Sequence, residues 1–130
     1  MKILLTGGAG YIGSHVLLSI IENKHEVIVI DDLSTGNKKL IPENIKLINT
    51  NINNSEKISN VLVEENFDLL LHFAGFIKVE ESVQKPDKYF KNNTDNAIEL
   101  FETCYKHNLQ NIIFSSTAAA YGNPNNNESI

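Results

Sequence analysis

The sequence predicts an α/β fold in which a parallel β-sheet is covered by helices on both faces. Short apolar runs alternate along the chain with segments whose apolar residues recur at helical spacing. The first apolar run leads directly into a glycine-rich segment. The 130 residues suffice for one domain, and 42% apolar with 21% charged residues is ordinary for a soluble globular protein.

Five apolar runs are predicted as β-strands because they are short and rich in Ile, Leu and Val. The second run is β-branched throughout and ends at two acids, whereas the third is the weakest. A doubly wound sheet with strand order 3-2-1-4-5 is the natural arrangement for such an alternation. The predicted strands cover residues 2–6, 27–30, 45–52, 69–71 and 112–114.

Three segments between these strands are predicted as helices, at residues 11–23, 55–65 and 86–106. Ser55 is the expected N-cap of the second helix, and Pro86 suits the first turn of the third. We expect residues 1–122 to form the domain and residues 123–130 a polar loop or tail. The apolar side of the third helix is predicted to carry Phe90, Ala97, Ile98, Phe101 and Tyr105.

Charge and composition argue against several classes of partner. Eleven basic residues, none of them arginine, stand against 16 acids, which gives a net charge of −5 and disfavours nucleic acid and anionic membranes as partners. The single cysteine, Cys104, cannot form an internal disulfide, and the four histidines lack metal-ligand spacing. Without an apolar run long enough for a membrane helix, a cytoplasmic location is expected.

The strongest chemical signal is the glycine motif that follows the first strand. Gly8, Gly10 and Gly13 satisfy the pattern G-x-G-x-x-G, and Gly7 precedes it. Such glycines allow a sharp strand-to-helix turn, close approach of backbone to a pyrophosphate, and tight packing of the helix on the strand. A glycine-rich turn without a ligand is the alternative, but the strand before and the helix after favour a Rossmann-type dinucleotide site.

The cofactor preference follows from the acids that end the second strand. Asp31 lies 18 residues beyond Gly13, where a carboxylate accepts the hydroxyls of an adenine ribose and repels a 2′-phosphate. Asp32 adds a second negative charge, and no arginine exists to receive that phosphate. The sequence therefore favours NAD over NADP. A solvated acid at the end of a strand is the plainer alternative.

Two further strand ends would meet the same edge of the sheet. His72 ends the fourth strand, and a buried, hydrogen-bonded strand histidine is a more common reading of it than a ligand contact. Ala74 and Gly75 would let a cofactor pass close to backbone. Ser115 and Thr117 follow the fifth strand, where hydroxyls also commonly cap turns.

Together these motifs resemble the extended short-chain dehydrogenase/reductase family. The resemblance rests on residues 6–13, the acid at 31, residues 72–75 and 81–83, Pro86, residues 92–93 and 115–117, and 121–122. Residues 72–93 most resemble the UDP-glucose 4-epimerase branch of that family. The resemblance implies NAD as cofactor, nucleotide sugars such as UDP-glucose and UDP-galactose as substrates, and a possible homodimer.

Site residues carry over from the resemblance by position. Thr117 would be the catalytic hydroxyl that bonds to the sugar, and residues 32–36 would shape the adenine side. The implied cofactor-binding residues are Gly7, Gly10, Tyr11, Ile12, Gly13, Asp31, Asp32, Asn51, Ile52, Phe73, Ala74, Gly75, Asn92 and Ser115.

The sequence departs from the family pattern in three ways. Asn51 stands where the family usually has Asp, and Ile77 stands where some epimerases have Lys, with Lys78 next. The third departure concerns the family's Tyr-x-x-x-Lys, whose tyrosine is the general base. The residues four positions after the four tyrosines are His15, Asn93, Leu109 and Asn125.

The expected identity is therefore the N-terminal NAD-binding part of a 4-epimerase, without the substrate domain and inactive alone. A sugar-nucleotide dehydratase is disfavoured because Ala118 and Ala119 occupy the positions of its Asp-Glu pair. Another NAD-dependent nucleotide-sugar epimerase, or an inert truncated NAD-binding module, remains as an alternative. The fifth strand is predicted to pair on one side only and to promote association.

Overall fold

Five parallel strands form one sheet in the computed structural model, which describes residues 1–122. The order β3-β2-β1-β4-β5 confirms the predicted topology. Residues 123–130, predicted as a tail, lie outside the described residues. The strands are β1 (Lys2–Thr6), β2 (Glu26–Asp31), β3 (Lys46–Asn49), β4 (Leu69–His72) and β5 (Ile112–Phe114).

The helices fall between the strands, and none in residues 1–122 is long and apolar enough to cross a membrane. The predicted third helix is two α-helices joined by a π-helical turn, Lys91–Asp95, and a short helix that was not predicted precedes them. Short 3-10 turns lie at Lys38–Leu40 and Ala118–Tyr121. The α-helices are α1 (Tyr11–Glu22), α2 (Ser55–Glu64), α3 (Val79–Gln84), α4 (Pro86–Phe90) and α5 (Asn96–Lys106).

The core has two layers because successive residues of a strand point to opposite faces of the sheet. In β1, Leu4 joins one layer, whereas Ile3 and Leu5 join the other. The first layer holds buried residues of α2 and α5, and the second holds buried residues of α1 such as Leu17. Each face of the sheet is thus covered by helices, as predicted for a parallel sheet.

Several local predictions were wrong. The N-cap of α2 is Asn54, not Ser55, because the Asn54 side chain accepts a hydrogen bond from the backbone N–H of Lys57 at 3.0 Å. The third strand is shorter than predicted, at Lys46–Asn49. On the third predicted helix, Ala97 is buried as predicted, but Phe90, Ile98 and Tyr105 are exposed. The other buried residues of α5 are Asn96, Leu100, Thr103 and Cys104.

The fifth strand pairs with β4 and with no other strand of residues 1–122, as predicted. Its residues Ile112, Ile113 and Phe114 stand in register with Leu70, Leu71 and His72. Ile113 and Phe114 are 54% and 52% exposed. Within the described part of the chain, β5 is therefore an apolar edge strand.

Candidate functional site

A cleft lies at the carboxyl ends of the central strands and encloses about 540 Å³ of empty space, part of it open to solvent. Ligand sites of doubly wound sheets occur at this edge, where the strand order reverses. Here β1 lies between β2 and β4, and the cleft is lined by the segment that follows each of these three strands. The lining residues are Gly7, Gly10, Ile30, Asp31, Asp32, Ser34, Thr35, Gly36, Thr50, Asn51, Ile52, Phe73, Ala74, Gly75, Phe76 and Asn92.

Two glycines make the turn from β1 into α1 possible. Gly7 has a φ of +74°, and a Cβ atom there would lie 2.5 Å from the backbone nitrogen of Ala74. A Cβ atom on Gly13 would lie 2.1 Å from the carbonyl oxygen of Gly7. No side chain fits at these distances, so Gly7 and Gly13 let the chain reverse and let α1 pack directly on the turn.

The amino end of α1 faces this turn and is suited to an anion. Gly10 is its N-cap, lines the cleft and carries no side chain that could occupy it. The first N–H groups of a helix have no partners within the helix, and its dipole favours negative charge there. The first turn of α1 contains no acid. A pyrophosphate would therefore meet backbone donors, and no acid of the first turn of α1 would oppose it.

Asp31 ends β2 and organises the backbone on the other side of the cleft. Its carboxylate oxygens accept hydrogen bonds from the backbone N–H groups of Ala9 and Leu33, both at 2.9 Å. Leu33 adopts a left-handed conformation with φ of 58°, and its bond to Asp31 helps to hold it there. A Cβ atom on Gly36 would lie 2.9 Å from an Asp31 oxygen, so this loop also approaches the carboxylate closely.

Asp32 and Asn51 form a second polar pair in the cleft. The Asn51 side-chain nitrogen donates to an Asp32 oxygen at 2.8 Å, and the backbone N–H of Ser34 donates to the other at 2.9 Å. Burial would raise the pKa of Asp32, but the hydrogen bonds from Ser34 and Asn51 outweigh it and leave the pKa below its ordinary value. An aspartate in place of Asn51 would repel Asp32, so the amide suits this position.

The remaining wall follows β4 and faces the helical segment that carries Asn92. Phe73, Ala74, Gly75 and Phe76 line it. Backbone dominates this wall because Ala74 and Gly75 have little or no side chain, which allows a ligand to approach closely.

His72 lies beneath this wall and is a buried strand residue, as the sequence favours. It is 1% exposed, and its Nδ1 is 2.7 Å from the hydroxyl of Thr6. Its ring stacks on Phe114 and meets Phe101 edge-on. Burial lowers the pKa of His72 to about 4, so the imidazole is neutral near pH 7.

Ten of the fifteen candidate site residues line the cleft, and five do not. Gly13 is packed behind the turn, while Tyr11 and Ile12 are exposed on the first turn of α1. Ser115 and Thr117 follow β5. The backbone N–H of Ser115 donates to the carbonyl oxygen of His72. The lining residues that were not candidates are Ile30, Ser34, Thr35, Gly36, Thr50 and Phe76, of which 34–36 fall in the segment assigned to the adenine side.

Sequence comparison relates the chain to nucleotide-sugar enzymes. A family model described as the NAD dependent epimerase/dehydratase family matches residues 3–130. The chain is 43% identical over 123 residues to a UDP-glucose 4-epimerase of Azospirillum brasilense, covering 95% of this chain and 35% of that protein. It is 37% identical over 131 residues to UDP-arabinose 4-epimerase 1 of Arabidopsis thaliana, covering 94% and 31%.

Structural comparison agrees. The UDP-glucose 4-epimerase of Thermus thermophilus in complex with NAD superposes with a TM-score of 0.93 at 30% identity, covering all of this chain and 42% of that one. The chain spans about a third of the length of the two relatives named above. A match over nearly the whole chain establishes the relationship, and the chain belongs to the NAD-dependent epimerase/dehydratase family.

Proposed function

We propose that the cleft binds NAD, with the pyrophosphate at the amino end of α1 and the adenine ribose at Asp31. The observation that carries this proposal is the position of Asp31, whose carboxylate touches the glycine turn through Ala9 while also lining the cleft. One ligand can therefore meet backbone donors at one end and a carboxylate at the other. The Thermus thermophilus relative is in complex with NAD, which supports NAD as the ligand.

The cleft should discriminate against NADP. Asp31 and Asp32 both line it, and no lysine is among its lining residues. A 2′-phosphate would add negative charge beside these carboxylates, which costs affinity through like-charge repulsion. We expect NAD to bind at least about tenfold more tightly than NADP, which corresponds to ~1.4 kcal/mol.

Calorimetric titration of both dinucleotides into the 130-residue chain tests this proposal. Asp31→Asn should lower the preference for NAD, because it removes one of the two charges that oppose the phosphate and leaves Asp32. Asp68→Asn is the matched control, because it also removes one negative charge. Like Asp31, Asp68 accepts a hydrogen bond from a backbone N–H, in this case that of Lys2 at 2.7 Å. Asp68 lies before β4, at the opposite end of the strand from the cleft.

Each variant is judged by its ratio of NAD to NADP affinity, because general damage to the fold weakens both. The proposal expects a high ratio for the unmodified chain and Asp68→Asn, and a clearly lower ratio for Asp31→Asn. Equal affinities of the unmodified chain for both dinucleotides, or no binding of NAD at all, would contradict it.

For the whole protein we propose 4-epimerisation of a nucleotide sugar, with UDP-glucose and UDP-galactose as the first candidates. Bound NAD would supply reversible hydride transfer with the sugar, so that the net reaction would be an isomerisation. The residues of this chain would hold the cofactor, and Thr117 would hydrogen-bond the sugar hydroxyl that is oxidised. A homodimer of the whole protein belongs to the same proposal.

The 130-residue chain alone should not interconvert UDP-glucose and UDP-galactose above background. None of its tyrosines is followed by lysine at the fourth position, and a positioned base typically contributes about 10²–10⁴-fold in rate. A coupled assay of the purified chain measures this directly. Clear turnover would mean that another residue acts as the base.

Two alternatives can be tested. The similarity to a UDP-arabinose 4-epimerase favours assays with pentose as well as hexose nucleotides. The second alternative is an inert dinucleotide-binding module. The coding DNA beyond Ile130 separates this module from an enzyme, because continuation to Tyr-x-x-x-Lys supports the enzyme and an immediate stop codon supports the module.

A further inference from the structure

We infer that Asn93 is a positioning residue that fixes one wall of the cleft and orients Asn92 toward it. This inference rests on the proposed dinucleotide site. Asn93 itself is absent from the cleft lining, whereas its neighbours Asn92, Gly75 and Phe76 line it. Its position in the π-helical turn Lys91–Asp95 brings it against the segment that follows β4.

The Asn93 side chain binds both backbone groups of one residue. Its oxygen accepts the N–H of Phe76 at 2.8 Å, and its nitrogen donates to the carbonyl oxygen of Phe76 at 2.9 Å. The amide thereby replaces the partner that a neighbouring strand would give to this part of the loop. Gly75 lies against the same amide, with its Cβ position 3.5 Å from the Asn93 oxygen.

These bonds also determine how Asn92 is oriented. A backbone N–H can only donate and a carbonyl can only accept, so Phe76 allows one orientation of the Asn93 amide. The Asn93 oxygen then faces Asn92 and can only accept a hydrogen bond, so the side-chain nitrogen of Asn92 turns toward it and donates at 2.9 Å. The carbonyl oxygen of Asn92 is therefore the group that it can offer to a hydroxyl or amide donor of a bound dinucleotide.

The Phe76 side chain is held separately from its backbone. Its ring lies 5.7 Å from the ring of Tyr89, and the Lys88 ammonium lies 4.7 Å from the Phe76 ring centre. Glu81 accepts hydrogen bonds from both Lys88 and Tyr89. Removing the Asn93 amide should therefore release the backbone of the wall while the ring contacts preserve the local fold.

The test combines NAD affinity with amide hydrogen exchange of Phe76 in the 130-residue chain. Asn93→Ala removes the Asn93 amide group entirely. Asn93→Asp keeps the acceptor for the Phe76 N–H but loses the donor to its carbonyl. Asn111→Ala is the matched control, because the Asn111 amide also donates to a backbone carbonyl, that of Asp68 at 3.0 Å, before β4 rather than after it.

We expect Asn93→Ala to weaken NAD binding by about tenfold and to speed exchange of the Phe76 amide by at least about tenfold. Asn93→Asp should keep the Phe76 amide protected but still weaken NAD binding, because its second oxygen would face the Phe76 carbonyl oxygen and displace the wall. Asn111→Ala should change neither quantity. If Asn93 had a merely structural role, both Asn93 variants would lower the stability of the chain, and they would not differ in the exchange rate of the Phe76 amide.

Three results would overturn the inference. The first is rapid hydrogen exchange of the Phe76 amide in the unmodified chain, a measurement that does not depend on whether any variant folds. Another is unchanged NAD affinity in folded Asn93→Ala, and the third is an equal loss in Asn111→Ala. If the unmodified chain fails to bind NAD while the Phe76 amide is protected through Asn93, the proposed function fails and the contact to Phe76 stands.

Discussion

The buried His72 makes a quantitative prediction about stability and pH. Its folded pKa of about 4 lies below the ordinary value of 6.5 because burial disfavours the charged ring. As the pH falls through 6.5, the unfolded chain binds a proton that the native chain does not bind until about pH 4. Stability contributed by the neutral ring is therefore present above pH 6.5 and is lost below it, by about 2 kcal/mol between pH 7.5 and 5.0.

Urea unfolding at a series of pH values from 7.5 to 5.0 measures this loss. His72→Asn removes the titrating ring and keeps an amide that can bond to Thr6. Between pH 7.5 and 5.0, its free energy of unfolding should therefore fall by about 2 kcal/mol less than that of the unmodified chain. His15→Gln, on the exposed side of α1, is the control for loss of an imidazole. The reasoning would be refuted if His72→Asn retained the full pH dependence of the unmodified chain.

Three further predictions test the fold around the site. Gly13→Ala should lower the free energy of unfolding by at least about 1–3 kcal/mol in urea titrations, because its Cβ atom would overlap the Gly7 oxygen, whereas Gly75→Ala should be tolerated. Ile113→Lys should reduce concentration-dependent association in sedimentation velocity with little loss of stability, and a monomeric unmodified chain at high concentration would contradict this. Asn54→Ala should cost about 1 kcal/mol in urea unfolding and Asn53→Ala less, since Asn54 caps α2; equal costs would contradict the assignment.

The strands and the glycine turn could be predicted because their signals are local. An apolar run of strand length followed by Gly7 leaves few alternatives, and the observed bounds of β1 match the prediction. Asp31 could be placed in the cleft because strand ends meet at one edge of a parallel sheet. Its bonds to Ala9 and Leu33 could not be predicted, since they depend on how two loops meet.

The last predicted helix shows why other features were missed. The π-helical turn Lys91–Asp95 departs from regular α-helical spacing. The predicted apolar face starts at Phe90, which is exposed, and includes Phe101 where the fully buried residue is Leu100. The Asn93 contact to Phe76 has no sequence signature either, because it joins a helical turn to a loop 17 residues away.

The most direct test of the central claim is a nuclear magnetic resonance titration of the 130-residue chain with NAD. The account predicts that backbone amide shifts change together at the glycine turn, at Asp31 and its loop, and from Phe73 to Phe76. Amides at the opposite end of the sheet, such as Asp68, should not move. Shifts concentrated on the exposed strand β5, or no saturable change, would contradict the claim that this cleft binds a dinucleotide.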